Sequence, residues 1–125
     1  MDLLNDLSQL ETDEEKYEFL IEIGSELPKL LETQKTNENR IIGCQNRVWL
    51  HFEEINKNLI ITGESDSRLV SGLMAILIEI YSHKPKTEII ELGEGFLTSY
   101  KLNLSMTRQK GLYFIISKIL DTASH

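Results

Sequence analysis

Cys44 is the single cysteine of the chain and the side chain best suited by type and position to covalent chemistry. It stands in the run Arg40-Ile41-Ile42-Gly43-Cys44-Gln45-Asn46-Arg47-Val48-Trp49-Leu50. Ile41-Ile42 before it and Val48-Trp49-Leu50 after it have the β-branched, aromatic and aliphatic character of strands. Gly43 permits a sharp turn between them that a residue with a Cβ would resist. The thiol is therefore expected at a loop tip, held at both ends by strand pairing and able to meet another molecule. Arg40 and Arg47 bracket it, and nearby cations favour the thiolate, which is the nucleophile. The alternative is the ordinary one for a free cysteine, a small buried hydrophobe.

Other chemistries fit the sequence less well. A cysteine hydrolase needs a histidine base within hydrogen-bond reach of the thiol. His51 lies seven residues beyond Cys44, roughly 20 Å away if the run stays extended. His83 has no sequence relation to the loop. His51, His83 and His125 show no ligand spacing, and one thiol cannot build a zinc or cluster site. With 20 acidic against 13 basic residues and a net charge of −7, the surface should repel nucleic acid and anionic lipid, which points to a protein partner. The longest apolar run, Leu69 to Tyr81, is interrupted by Ser71, Gly72 and Glu79 and falls short of the roughly 20 residues of a membrane span. The opening Met1-Asp2-Leu3-Leu4-Asn5-Asp6 is acidic where a targeting signal would be basic. A lone cysteine forms no internal disulfide, so the expected location is the reducing cytoplasm.

The elements that must position Cys44 follow from periodicity. A chain of 125 residues, 41% of them apolar, is expected to form one domain over residues 1–125. Leu3, Leu4, Leu7 and Leu10 predict a short amphipathic helix. Thr12-Asp13-Glu14-Glu15 has the form of a capping box and opens a second helix that buries Tyr17, Leu20, Ile21 and Ile23, with Gly24 as its stop. Val48, Leu50 and Phe52 alternate with Trp49, His51 and Glu53, the period of a strand with one buried face. Asn56-Lys57-Asn58 supplies a turn into a second strand over Leu59 to Thr62. With Arg40–Ile42 as a third strand, this predicts a small three-stranded antiparallel sheet, covered on one face by helices. Ser65 and Asp66 both suit the N-cap of a third, centrally buried helix from Leu69 to Tyr81, where Gly72 lets a neighbour approach. Two short helices are expected over Thr87–Leu92 and Glu94–Tyr100. Ser105 or Thr107 should cap a last helix burying Leu112, Ile115, Ile116, Ile119 and Leu120, with residues 121–125 fraying.

In this order the blocks resemble the SufE family of sulfur-acceptor proteins. They are Tyr17-x-x-Leu20-Ile21-x-x-Gly24-x-x-Leu27-Pro28, Glu38-Asn39-Arg40-Ile41-Ile42-Gly43-Cys44-Gln45-x-x-Val48-Trp49-Leu50, Gly63-x-Ser65-Asp66 with Val70-x-Gly72-Leu73, and Thr107-Arg108-x-x-Gly111-Leu112. The resemblance implies an α+β fold shared with IscU-type scaffold proteins: a small three-stranded antiparallel sheet with helices packed on it. It further implies that Cys44 accepts persulfide sulfur from a SufS- or CsdA-like cysteine desulfurase, stimulates that enzyme, and passes the sulfur to an iron–sulfur scaffold complex. The pyridoxal phosphate in such a system belongs to the desulfurase; the acceptor holds no cofactor and is not itself an enzyme. A monomer or weak homodimer is expected, and because an exposed persulfide would be lost to stray thiols and oxidants, the Cys44 loop is expected to tuck in when free and swing out on the partner. Arg108 in its motif is either a solvated helix-end arginine or a partner of the thiolate or the desulfurase surface. Gly43, Gln45, Arg47, Trp49 and Asp66 are the remaining candidates for loop support or partner contact. A different class of function stays open: an adaptor that binds a desulfurase or scaffold while its cysteine is chemically idle.

Overall fold

The computed structural model describes residues 2–95 and 104–125. Helices α1 (Leu3–Ser8) and α2 (Asp13–Ser25) lead into a long connection. Strands β1 (Val48–Ile55) and β2 (Asn58–Ser65) follow, then helix α3 (Arg68–Tyr81). A two-residue strand β3 (Lys84–Pro85), helix α4 (Lys86–Leu92) and helix α5 (Met106–Ala123) complete the described chain. The expected helix over Glu94–Tyr100 falls largely outside the described residues.

The start of α2 is local chemistry. Thr12 Oγ1 accepts from the Glu15 amide while the Glu15 carboxylate accepts from the Thr12 amide, so two amides at the helix start are satisfied reciprocally. The β1–β2 hairpin is equally local. Asn56 and Lys57 both take positive φ, 51° and 68°, the conformation of a two-residue turn whose twist matches the strands it joins. It sets the register Ile55↔Asn58 through Val48↔Ser65. Val48, Leu50, Leu59 and Ile61 then point to one face and are buried.

The sheet has three antiparallel strands in the order β1-β2-β3, but the third strand is not the expected one. Arg40–Ile42 contributes only an isolated bridge, Arg40↔Trp49, because the chain turns at Ile42–Gly43 before a ladder can form. The third strand is Lys84–Pro85 on the opposite edge. His83, at φ 63°, reverses the chain after α3 and donates its amide to the Leu59 carbonyl at 2.8 Å. Pro85 has no N–H to donate, which suits it to an edge.

Helix α3 is central, as expected, with apolar side chains on both flanks. One flank meets the sheet and α5 in a core that includes Val48, Leu50, Ile61, Met74, Leu77, Ile115, Ile116 and Ile119. The other meets α1 and α2 through Leu7, Leu20, Leu73 and Ile76. Gly24 does not stop α2, which runs on to Ser25. It faces Gly72: a Cβ on Gly24 would lie 2.5 Å from the Gly72 amide nitrogen, and one on Gly72 would strike the Leu20 carbonyl. The two glycines let the helix backbones touch. The end of α5 also departs from expectation, because the helix continues to Ala123, which is buried. No helix among the described residues is long and apolar enough to cross a membrane.

Candidate functional site

The Cys44 loop is closed at its base by two backbone hydrogen bonds. The Ile41 amide donates to the Val48 carbonyl and the Leu50 amide to the Asn39 carbonyl, both at 2.8 Å. Between these points Gly43 takes φ +97°, a conformation open to glycine and strained for a residue with a side chain. Cys44 follows, half-buried. Its Sγ lies 3.7 Å from the Gly111 carbonyl oxygen, toward which the thiol can donate, and it packs on the edge of the main core. The sulfur is thus turned in against α5 and does not project from the tip.

That position alters its acidity. Burial raises the Cys44 pKa above the ordinary 9.0, because the charged form loses water. The thiolate-favouring effect expected of Arg40 and Arg47 is not realised. Both side chains are exposed, and Arg47 turns to Asp66, its Nε standing 4.0 Å from Oδ2. Residues adjacent in sequence are not adjacent in direction on a turning loop.

Asp66 has a different role from the N-cap considered for it. Ser67 caps α3, its Oγ accepting from the Val70 amide at 3.2 Å, and Ser65 Oγ accepts from the Ser67 amide. Asp66 instead holds the descending arm of the loop. Its Oδ1 accepts from the Arg47 amide at 3.0 Å, and its own amide donates to the Arg47 carbonyl at 3.1 Å. The loop is thereby tied to the β2–α3 junction.

A cavity of about 340 Å³ opens beside the sulfur. Val48, Val70, Leu73, Leu112 and Ile115 supply apolar wall, while Gln45, Asn46, Ser105, Thr107 and Arg108 bring polar groups to it. Ser105 caps α5 by accepting from the Arg108 amide at 3.3 Å, which places Arg108 in the first turn. The Arg108 side chain is exposed, and none of the ion pairs among the described residues involves it. The structure therefore gathers Cys44, Gln45 and Arg108 around one cavity, with Asp66 and Arg47 bracing the loop from behind.

Trp49 lies apart from this cavity. It sits half-buried on the other face of β1, its ring centroid 5.6 Å from Lys35 Nζ. Lys35 in turn pairs with Glu64 at 2.7 Å, and Glu64 accepts from the Leu30 amide at 2.9 Å. Trp49 thus belongs to the contacts that fasten the long connection to the sheet. His51 is also remote from the thiol; its ring nitrogens approach Asn39 at 3.5 Å and Glu53 at 3.2 Å. No group of three or more metal-ligating side chains occurs among the described residues.

Two residues at the site carried no role in the sequence reading. Gly111, noted only as part of a motif, supplies the carbonyl that faces Cys44 Sγ. Phe114 packs on Gly43. The available signal was its spacing of three from Gly111, which puts both on one side of α5.

Fold and site together define a small α+β protein that presents a single thiol on a braced loop beside a cavity. Residues 1–123 match the SufE family, described as an Fe-S metabolism associated domain. An uncharacterized SufE-like protein of Rhizobium etli is 36% identical over 129 residues, covering 97% of this chain and 86% of that protein. One from Rhizobium meliloti is 34% identical over 131 residues, covering 97% and 91%. The chain belongs to the SufE family. A solution structure of a hypothetical protein from Thermus thermophilus superposes with a TM-score of 0.79 at 17% identity, covering 97% of this chain and 90% of that one. It shares the fold.

Proposed function

We propose that this protein is a sulfur carrier of iron–sulfur metabolism, which takes persulfide sulfur from a pyridoxal-phosphate cysteine desulfurase onto Cys44. Membership of the SufE family supports the pathway. The observation that carries the chemical reading is a lone thiol on a loop pinned at its base and turned inward beside a cavity. In the transfer, the Cys44 thiolate attacks the outer sulfur of the desulfurase persulfide. A new S–S bond forms at Cys44, the old one breaks, and the desulfurase thiolate leaves with the electron pair. No external oxidant or reductant is consumed. The desulfurase recovers a free thiolate for its next turnover, which accounts for stimulation. The same exchange in reverse sense then delivers the sulfur to a scaffold complex.

In the withdrawn position burial disfavours the thiolate, so opening of the loop, which brings the sulfur to water or the partner, favours attack. A carried persulfide gains from the same withdrawal, because stray thiols and oxidants reach it less easily. A second reading draws on that burial: an adaptor that binds a desulfurase or scaffold with its cysteine idle. Replacing Cys44 with serine separates the two. A carrier loses its stimulation of desulfurase turnover, whereas an adaptor retains it, and retention would overturn the proposal.

A further inference from the structure

Helix α5 buries Ile115, Ile116 and Ile119 in the core, and by that pattern its residue 114 belongs to the outer face. Position 114 is nevertheless phenylalanine, 38% exposed. Its ring occupies the volume that a side chain at position 43 would need: a Cβ there would stand 2.7 Å from Cε2 and 2.9 Å from Cδ2 of Phe114. The ring therefore lies over the bare backbone of Gly43, the residue immediately before the thiol. Tyr113 flanks it edge-on, with ring centroids 5.9 Å apart. On its open side Phe114 borders a surface groove of about 470 Å³ that Ile41 and Ile42 also line, so the ring has space to move away from the loop.

We propose that Phe114 is a positioning residue for the Cys44 thiol: its ring clamps Gly43 and so holds the loop, and the sulfur with it, folded in against α5. The clamp acts on the ascending arm of the loop, whereas Asp66 acts on the descending arm at Arg47. Gly43 is required for it twice, once for φ +97° and once because a Cβ would expel the ring. This inference rests on Cys44 being the reacting group of the proposed function.

The test is the second-order rate of alkylation of Cys44 by iodoacetamide in the free protein, followed by intact mass. Removing an aromatic contact of this kind should raise the population of the open loop, and with it the rate, about five- to tenfold in Phe114→Ala. Phe114→Tyr keeps the ring and should react like the wild type, with Phe114→Leu between the two. Circular dichroism establishes that each variant is folded; should Phe114→Ala fail to fold, Phe114→Leu decides in the same terms. A wild-type rate in the ring-less variants overturns the proposal. So does a Phe114→Tyr rate as fast as that of Phe114→Ala, since that would mean general loosening of α5. The assay contains no sulfur donor, so failed sulfur transfer and a failed clamp give separate results.

Discussion

Replacing Asp66 with alanine should expose Cys44 without touching it. The carboxylate contributes a charge-assisted hydrogen bond to the Arg47 amide at 3.0 Å and an ion pair with the Arg47 guanidinium at 4.0 Å. A hydrogen bond to a charged group is worth about 1.5–3 kcal/mol when shielded from water. Here the Asp66 side chain is 50% exposed, so solvent competes and about 1 kcal/mol is the appropriate value. The ion pair, with both partners solvated, adds no more than a few tenths. The backbone bond from the Asp66 amide to the Arg47 carbonyl survives the substitution. A loss of about 1 kcal/mol from the closed loop raises the open population about fivefold. Alkylation by iodoacetamide should accelerate by the same factor where reaction goes through the open loop. Asp66→Asn keeps an oxygen acceptor for the Arg47 amide and should react within about twofold of the wild type. An Asp66→Ala rate no faster than the wild type, or an Asp66→Asn rate as fast as that of Asp66→Ala, would refute this role of the carboxylate.

Gly72→Ala should cost about 2 kcal/mol, because its Cβ would strike the Leu20 carbonyl and overpacking outweighs the gain in helix propensity; the expected fall in Tm is about 8 °C by calorimetry. The raised pKa of Cys44 gives a defined dependence on alkaline pH. In the unfolded chain the thiol ionises at its ordinary 9.0 while the folded protein still holds the proton, so folding stability is full below that pH and declines above it. Denaturant titrations between pH 8 and 10 should show this decline for the wild type relative to Cys44→Ala, and parallel curves would contradict the burial of the thiol. On the acid side, burial pushes the Glu64 carboxyl up, but Lys35 and the Leu30 amide outweigh it and hold it below the ordinary 4.5. The wild-type advantage over Glu64→Gln should therefore be present above pH 4.5 and shrink as the pH falls through the lowered folded value, measured by the same titrations.

Local chemistry was readable from the residues, and non-local geometry was not. The Thr12–Glu15 capping box, the Asn56-Lys57 turn and the Val48/Leu50 alternation involve neighbours in sequence, and all appear as expected. The third strand could not be seen in that way. Lys84–Pro85 is too short for periodicity, and its pairing depends on where α3 delivers the chain. Gly24 looked like a helix stop because a glycine's local conformational role is visible in a sequence, whereas its closeness to Gly72 is a property of two packed helices. Ala123 was hidden in a polar tail by its small size. At the site, the loop and its thiol were evident from Gly43-Cys44 between two apolar runs. The sign of the thiol's pKa shift was not, because it depends on which way the sulfur turns and where the arginines point. Phe114 was missed for a related reason: its partner is the absence of a side chain at Gly43.

The most direct test is intact mass spectrometry of this protein after incubation with a pyridoxal-phosphate cysteine desulfurase and cysteine. A sulfur carrier should gain the mass of one sulfur atom, mapped to the peptide containing Cys44, removed by a reductant and absent from Cys44→Ser. An unchanged mass while the two proteins still co-elute would contradict the transfer and leave binding alone as the function.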